Sequence, residues 1–291
     1  MTSHVIANAR LSVAVATGYG ARVTSLRHIA SGRDWMTQGD QSSQTGDDAV
    51  YLGDEAIAWD ECFPTVGRCN VLATAWGRTL RDHGELWGRP WQVDHHDAET
   101  LALSFVAPEF VFERRMRLEG PTLVIDYAVT NRLAVPLPYL WALHALLAVR
   151  PGDRMDIPGL ESVGVSYLGH QGQTIALDRA PFAGSHPELP FRLDTIQPPD
   201  ADFAAKLIAK NLRAGTARIG QPGQWLDLSW DSSIADLGIW ITYGAWQGHT
   251  EVAIEPTSAP ANDLVEAIAS GARPLAPGER RAWTVGMTVG A

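Results

Sequence analysis

Short runs of apolar or alternating residues recur along the chain, at residues 11–15, 22–26, 101–106, 110–118, 122–129, 139–149, 225–230, 237–243, 251–254 and 282–289. In one of them Val124, Asp126 and Ala128 alternate against Ile125, Tyr127 and Val129. That period of two places successive side chains on opposite faces of a strand in an antiparallel sheet. The 27 glycines and 18 prolines are spread through the sequence and supply many turns in place of one hinge. Two segments carry helical signals. Asp263 and Glu266 have capping-box spacing, Leu264, Val265 and Ile268 form an apolar stripe, and Gly271 is placed to stop the turn. Residues 202–211 form the second expected helix. Many strands and few helices predict an all-β sandwich or barrel, two architectures that the pattern does not separate. No linker, low-complexity tract or fixed-period repeat divides the chain, so one domain over residues 1–291 is expected.

A chain of 291 residues can bury its core without metal or disulfide. Its two cysteines, Cys62 and Cys69, lie in one segment with no second pair to complete a zinc site, and are read as free thiols. The N-terminal segment has no basic leader, and residues 11–15 alternate like a strand, so a cytoplasmic protein without a membrane span is expected. The formal charge of -10 repels a phosphate backbone, which argues against a nucleic-acid partner. Lys206 and Lys210 are the only lysines, and the arginines are scattered, so no polybasic block faces an anionic surface.

Glu255 stands out chemically. It closes the apolar stretch Val252, Ala253, Ile254 and is followed by Pro256 and the turn-rich Thr257, Ser258, Ala259, Pro260. An acid in a strand that otherwise feeds a core has either a partner or a task. Partial burial raises a carboxylate toward neutrality and suits it to general-base work; a salt-bridged strand end is the plain alternative.

Four segments, in order along the chain, resemble the aldose 1-epimerase or galactose mutarotase-like family. Phe63-Pro64-Thr65-Val66-Gly67-Arg68 is similar to a Pro-x-x-Gly-Arg segment whose arginine contacts sugar hydroxyls. Asp82-His83-Gly84-Glu85-Leu86-Trp87-Gly88-Arg89-Pro90-Trp91 resembles a His-Gly…Pro-Trp stretch. Leu143-His144-Ala145 stands where the family carries its catalytic histidine, with Ala145 in place of the usual proline. Glu255-Pro256-Thr257-Ser258-Ala259-Pro260-Ala261-Asn262 resembles the segment that carries the catalytic base.

The resemblance implies a large two-sheet β-sandwich with a few short helices, an open cleft and no cofactor. It also implies an isomerase that interconverts the α and β anomers of an aldose. Removing a proton from the anomeric hydroxyl while protonating the ring oxygen opens the ring; rotation about C1–C2 and reclosure give the other anomer. Glu255 is then the base and His144 the acid, whose unperturbed pKa of about 6.5 lies near working pH. A core role for His144 is the alternative. Arg68 and His83 are assigned to orienting the sugar, a sheet-edge cap and a turn position being their plain readings. The family's substrate-binding aspartate has no clear counterpart. Asp200 in Asp200-Ala201-Asp202-Phe203 is one choice, and Lys206, which would present a cation to an anionic sugar, is another. Trp59, Trp87, Trp91, Trp240 and Trp246 fall in or near these segments, and Trp240 is the one assigned to the cleft. The expected partner is thus a monosaccharide, neutral or anionic, bound by a monomer or homodimer.

Other constellations are weaker. Asp94-His95-His96-Asp97 is rich in metal-ligand types, but neighbours on a strand face opposite ways and a solvated turn is expected. Gly18-Tyr19-Gly20 lacks a third glycine and a following helix, and Gly164-Val165-Ser166-Tyr167-Leu168-Gly169 misses the nucleophile-elbow spacing. Two rivals stay open: a glycoside hydrolase pairing Glu255 with Asp60 or Glu61, and a non-catalytic carbohydrate-binding module that keeps Arg68 and the tryptophans.

Overall fold

The computed structural model describes residues 2–39, 46, 49–51 and 56–290. One large sheet runs in the order β1 (Ser3–Ala7), β2 (Leu11–Ala16), β3 (Arg22–His28), β4 (Trp59–Cys62), β11 (Ala142–Ala148), β20 (Thr250–Thr257), β19 (Asp236–Tyr243), β16 (Phe203–Ala209), β13 (Ser162–His170) and β14 (Gln173–Thr174), with β15 (Arg179–Pro181) also paired to β13. A second runs β12 (Arg154–Asp156), β17 (Thr216–Gln221), β18 (Gln224–Trp230), β21 (Arg280–Gly290), β10 (Thr122–Asn131), β9 (Phe110–Glu119), β8 (Thr100–Val106) and β7 (Gln92–His96). A short ribbon joins β5 (Cys69–Asn70) and β6 (Thr79–Leu80). All named strand pairs are antiparallel.

The two sheets close on a common core. Val13, Leu26, Leu143 and Ile254 of the first belong to the same buried apolar cluster as Leu103, Phe112, Ile125 and Val285 of the second. Strand β10 shows the expected alternation, with Leu123 and Ile125 buried against half-exposed Val124 and Asp126. Strand β11 is buried on both faces along nearly its whole length, which is why it reads as a continuous apolar run.

A charge sits inside the sandwich. Glu61 on β4 is fully buried and accepts hydrogen bonds from Tyr127 Oη (2.6 Å), Trp141 Nε1 (2.9 Å), Trp59 Nε1 (3.2 Å) and Arg114 Nη1 (3.3 Å). These donors come from both sheets, and a fully partnered buried carboxylate of this kind pins their register.

The helix expected after Asp263 is present as α1 (Leu264–Ala269), with the Asp263 side chain accepting from the Glu266 N–H at 2.8 Å. The helix expected at residues 202–211 is absent and is corrected to strand β16. Its apolar residues recur at period two, with Phe203, Ala205, Leu207 and Ala209 toward the core, and it is hydrogen-bonded by β13 on one side and β19 on the other. Tertiary pairing outweighs the local helical preference of its alanines and lysine. Among the described residues α1 is the one α-helix, joined by a 3-10 turn at Pro199–Ala201. No helix is long and apolar enough to cross a membrane. Cys62 and Cys69 are buried free thiols, and Asp94, His95 and His96 form the exposed end of strand β7, where a turn was expected, with a His95–Asp97 contact of 2.9 Å.

Candidate active site

Strands β4, β11, β20, β19 and β16 turn a second face away from the sandwich core. The register Ala142↔Thr257 and Leu146↔Ala253, carried inward, sets His144 of β11 opposite Glu255 of β20. On their flanks His144 pairs with Asp60 of β4, and Glu255 pairs with Gly238 of β19. One register row along, Lys206, Trp240, Ala253 and Leu146 follow one another across four strands. Side chains at paired positions share a face. The catalytic candidates therefore meet because antiparallel pairing aligns residues 111 positions apart (255 minus 144). The sequence suggested that Glu255 ends its strand; instead β20 continues through Pro256 to Thr257.

This face floors a cavity of about 260 Å³ whose wall includes Tyr51, Asp82, His83, His144, Lys206, Trp240, Trp246, Glu255 and Asn262. The volume lies near the small end of ligand pockets and suits a single sugar ring. The cavity's polar groups are interspersed with apolar Tyr51, Ala56, Val66, Leu146, Trp240 and Trp246. Trp240 and Trp246 meet edge to face with centroids 6.1 Å apart, a corner on which the apolar face of a pyranose can rest.

Glu255 is buried and its Oε2 accepts an ion-paired hydrogen bond from Lys206 Nζ. Its Oε1 is also buried and has no hydrogen-bond partner. A buried acceptor left bare costs about 1–3 kcal/mol, a cost that a donor on a ligand would remove. His144 is buried too, and its Nδ1 is likewise without a partner. Burial pushes its pKa well below the ordinary 6.5, helped by the charges of His83, Lys206 and Arg22. His83 lies 4.7 Å from His144 between ring centroids and is stacked on Tyr51 at 3.7 Å. Asp82 Oδ2 stands 3.4 Å from His83 Nδ1. Burial works against ionisation of Asp82, but the adjacent His83 and the backbone N–H groups of Arg68 and His83 outweigh it and lower its pKa.

The structure thus gathers His144, Glu255, His83, Lys206 and Trp240 around one cavity. Arg68 and Asp200 stand apart from them. Arg68 is exposed next to Gly67, and Asp200 is exposed on the 3-10 turn; neither lines the cavity. Between the two choices for the missing aspartate, Lys206 occupies the pocket and Asp200 does not. Asp60 and Glu61 are both committed. Asp60 is held by Arg22 through Nε at 2.9 Å and Nη2 at 2.6 Å, and Glu61 faces the sandwich interior.

Sequence reasoning gave no role to Tyr51, Asp82, Asn262 and Glu251, and it named Trp246 among the tryptophans near the motifs without assigning it to the cleft. Asp82 directly precedes the recognised His83-Gly84, and that adjacency was a usable signal. Glu251 had none. It lies on β20 four residues before Glu255, beside Thr242 of β19 and Ala148 of β11, and is fully buried. Neither of its oxygens makes a well-formed hydrogen bond. Burial pushes its pKa up to about 8, and nearby Thr37 and Trp240 pull it back only in part.

No protein-family model matches the sequence, and no curated protein does. Solved structures do. A candidate aldose 1-epimerase from Escherichia coli K12 superposes with a TM-score of 0.71 at 18% identity, over 99% of this chain and 98% of that one. A galactose mutarotase-like protein from Lactobacillus casei gives 0.70 at 16% identity, over 99% and 100%. A galactose mutarotase related enzyme from Lactobacillus acidophilus gives 0.70 at 16%, over 100% and 98%. The chain has the galactose mutarotase-like fold.

Within this mutarotase-like sheet Gly238 is a structural requirement of the site. A Cβ there would lie 2.5 Å from Glu255 Oε2 and 3.4 Å from its Cβ. The bare backbone leaves room for the carboxylate to lie across β19 toward Lys206. Gly238→Ala is expected to swing the carboxylate aside and separate it from Lys206, since a side-chain end moves more readily than a paired strand. Because the chain has only two lysines, NMR of labelled lysine reads this directly. The Lys206 signal should move to the position of a solvated ammonium while that of Lys210 stays. An unmoved Lys206 signal would show that the pair tolerates the methyl group.

Proposed function

We propose that the protein is an aldose 1-epimerase, equilibrating the anomers of a neutral aldose without a covalent intermediate. One observation carries this reading. His144 and Glu255, opposite each other on neighbouring strands, share a sugar-sized cavity, and each has a buried polar atom with no protein partner. In this reading Glu255 Oε1 takes the proton of the anomeric hydroxyl and His144 protonates the ring oxygen. After rotation about C1–C2 the two exchange roles, His144 withdrawing a proton from the ring-forming hydroxyl and Glu255 returning one to O1. His83, braced between Tyr51 and Asp82, and Asn262 are placed to hold the hydroxyls, and the Trp240–Trp246 corner supports the ring face.

Lys206 is engaged by Glu255, and it is the one lysine or arginine among the described residues lining the cavity. This favours a neutral sugar over a phosphorylated or sulfonated one. The hydrolase reading has less support. Asp60 is bound by Arg22 and Glu61 lies on the other side of the sheet, so neither offers Glu255 a free carboxylate partner.

Anomer-exchange NMR on a panel of neutral and anionic aldoses tests the proposal. Exchange of at least one neutral aldose is expected well above the spontaneous rate. The pH dependence carries its own sign. A general acid must hold its proton, and burial disfavours the protonated form of His144. The rate should therefore fall through neutrality by about tenfold per pH unit, from an optimum below the ordinary imidazole pKa of about 6.5. A spontaneous rate for every sugar would reduce the protein to a binder. A flat profile across neutral pH would remove His144 as the acid.

A further inference from the structure

Beneath the cavity, Cys62, His83 and His144 form a cluster that the anomer-exchange chemistry does not need as a unit. One ligand atom of each lies within 4.8 Å of the others. Cys62 and His144 are held by adjacent strands, where the register Ala142↔Cys62 and His144↔Asp60 makes them diagonal neighbours on the cavity face. His83 is brought over them by the turn before Gly84, whose missing side chain lets the loop approach. A Cβ at Gly84 would lie 2.1 Å from the Phe63 carbonyl oxygen.

We propose that Cys62, His83 and His144 form a binding site for a zinc-class divalent cation at the floor of the cavity. Two observations beyond the cluster point the same way. The Nδ1 of His144, on a side chain more than nine-tenths buried, has no hydrogen-bond partner. Asp82 Oδ2 stands 3.4 Å from His83 Nδ1. No hydrogen bond is formed across that distance, but a small rotation would close it into the outer-carboxylate arrangement that orients a ligating imidazole and leaves its Nε2 for the metal. One thiolate and two imidazoles make a soft and borderline donor set, which selects zinc-class ions over magnesium or calcium. Three protein ligands leave the fourth tetrahedral position open toward the cavity.

The surrounding charges suit a dication. Arg22 offsets Asp60 and Lys206 offsets Glu255. The Cys62 thiolate and Asp82 then remain as two negative charges. Metal–sulfur and metal–nitrogen bonds of about 2.3 and 2.0 Å put tetrahedral ligand atoms about 3.5 Å apart, so small side-chain rotations must draw the cluster inward. On binding, the S–H bond of Cys62 breaks heterolytically. The electron pair goes to the metal and the proton to solvent, so one proton is released per ion.

A further consequence rests on the proposed function. An imidazole nitrogen bound to metal cannot carry a proton, so the ion would inhibit anomer exchange by occupying His144. The binding itself does not rest on that function.

The test uses the full chain, freed of metal by chelation. Titration with Zn2+ in buffers of different ionisation enthalpy should show one site and one proton released. Titration with Co2+ should give thiolate-to-cobalt charge-transfer absorption. Cys62→Ala should abolish that absorption and weaken Zn2+ binding by about 100-fold or more, while Cys69→Ala keeps both. Asp82→Asn should keep the absorption and weaken binding by about tenfold. Circular dichroism checks that each variant is folded. Absence of the charge-transfer band in the unaltered protein, or undiminished binding in folded Cys62→Ala, would overturn the site. If Zn2+ binds and no sugar is turned over, the site stands and the epimerase reading falls. If Zn2+ binds and exchange continues undiminished, inhibition through His144 is overturned.

Discussion

Glu255→Gln is expected to slow anomer exchange by about 1000-fold, within the span usual for loss of a general acid or base. The amide keeps the size and shape of the carboxylate but its oxygen is a very poor proton acceptor, so bound sugar would keep its anomeric hydroxyl proton. The substitution also leaves the Lys206 ammonium without its counterion. Removing one member of a buried ion pair commonly costs about 3–5 kcal/mol. Lys206 retains 16% side-chain exposure and can turn toward the cavity mouth, so the lower end of that range is expected. These two effects separate in a double variant. Glu255→Gln with Lys206→Met should recover much of the stability and none of the activity, measured by denaturant unfolding alongside exchange NMR. Exchange within tenfold of the unaltered protein in Glu255→Gln would remove Glu255 as the base.

Glu251→Gln is expected to stabilise the protein by about 3 kcal/mol at pH 7 and by almost nothing near pH 4.5. The fully buried Glu251 has its pKa pushed from an ordinary 4.5 up to about 8. Below pH 4.5 the carboxyl is protonated whether the chain is folded or not, and titration contributes no difference. As pH rises, the unfolded chain gives up this proton while the folded one retains it, so folding becomes progressively less favourable. The loss continues to about pH 8 and then levels off. At about 1.36 kcal/mol per pH unit, the interval from 4.5 to 7 amounts to about 3 kcal/mol. A glutamine is neutral throughout and also buries one polar head group in place of another, so the pH-dependent part alone is removed. Urea unfolding at pH 5 and pH 8 checks this. Other shifted groups, such as His144, act equally in both proteins, so the advantage of Glu251→Gln over the unaltered protein should be several kcal/mol larger at pH 8 than at pH 5. Equal pH slopes would mean that Glu251 is ionised in the folded protein. Because Glu251 adjoins Trp240, which lines the candidate cavity, this penalty falls beside a residue of that lining.

Much of the fold was legible in the sequence. The period-two alternation of β10 and the capping box of α1 are local signals, and both elements formed where those signals lay. Segment 202–211 was misread because Ala204, Ala205, Lys206 and Ala209 favour a helix locally. Its strand character comes from hydrogen bonds to β13 and β19, strands distant in sequence.

The site was legible in part. Glu255 and His144 were visible as polar residues in apolar runs, and their segments resembled a known order of motifs. Which face each residue takes was not visible. Asp60 and Glu61 are adjacent in sequence, yet one turns to the cavity side and is bound by Arg22, while the other turns into the sandwich and binds four donors. Arg68 and Asp200 looked equivalent to the other candidates as text, but both are exposed and stand off the cavity lining.

The sequence by itself determined what each segment could become: the strand periods, the caps and turns, and the acids and histidines held in apolar surroundings. These follow from side-chain chemistry within a few residues. Only the tertiary structure decided which of those groups meet. The register between β11 and β20 sets His144 opposite Glu255, the bare Gly238 lets Glu255 reach Lys206, and the turn before Gly84 carries His83 over Cys62. Each meeting joins positions far apart in the chain. It is settled by hydrogen-bond pairing and close packing between strands, quantities that a local pattern of residues does not contain.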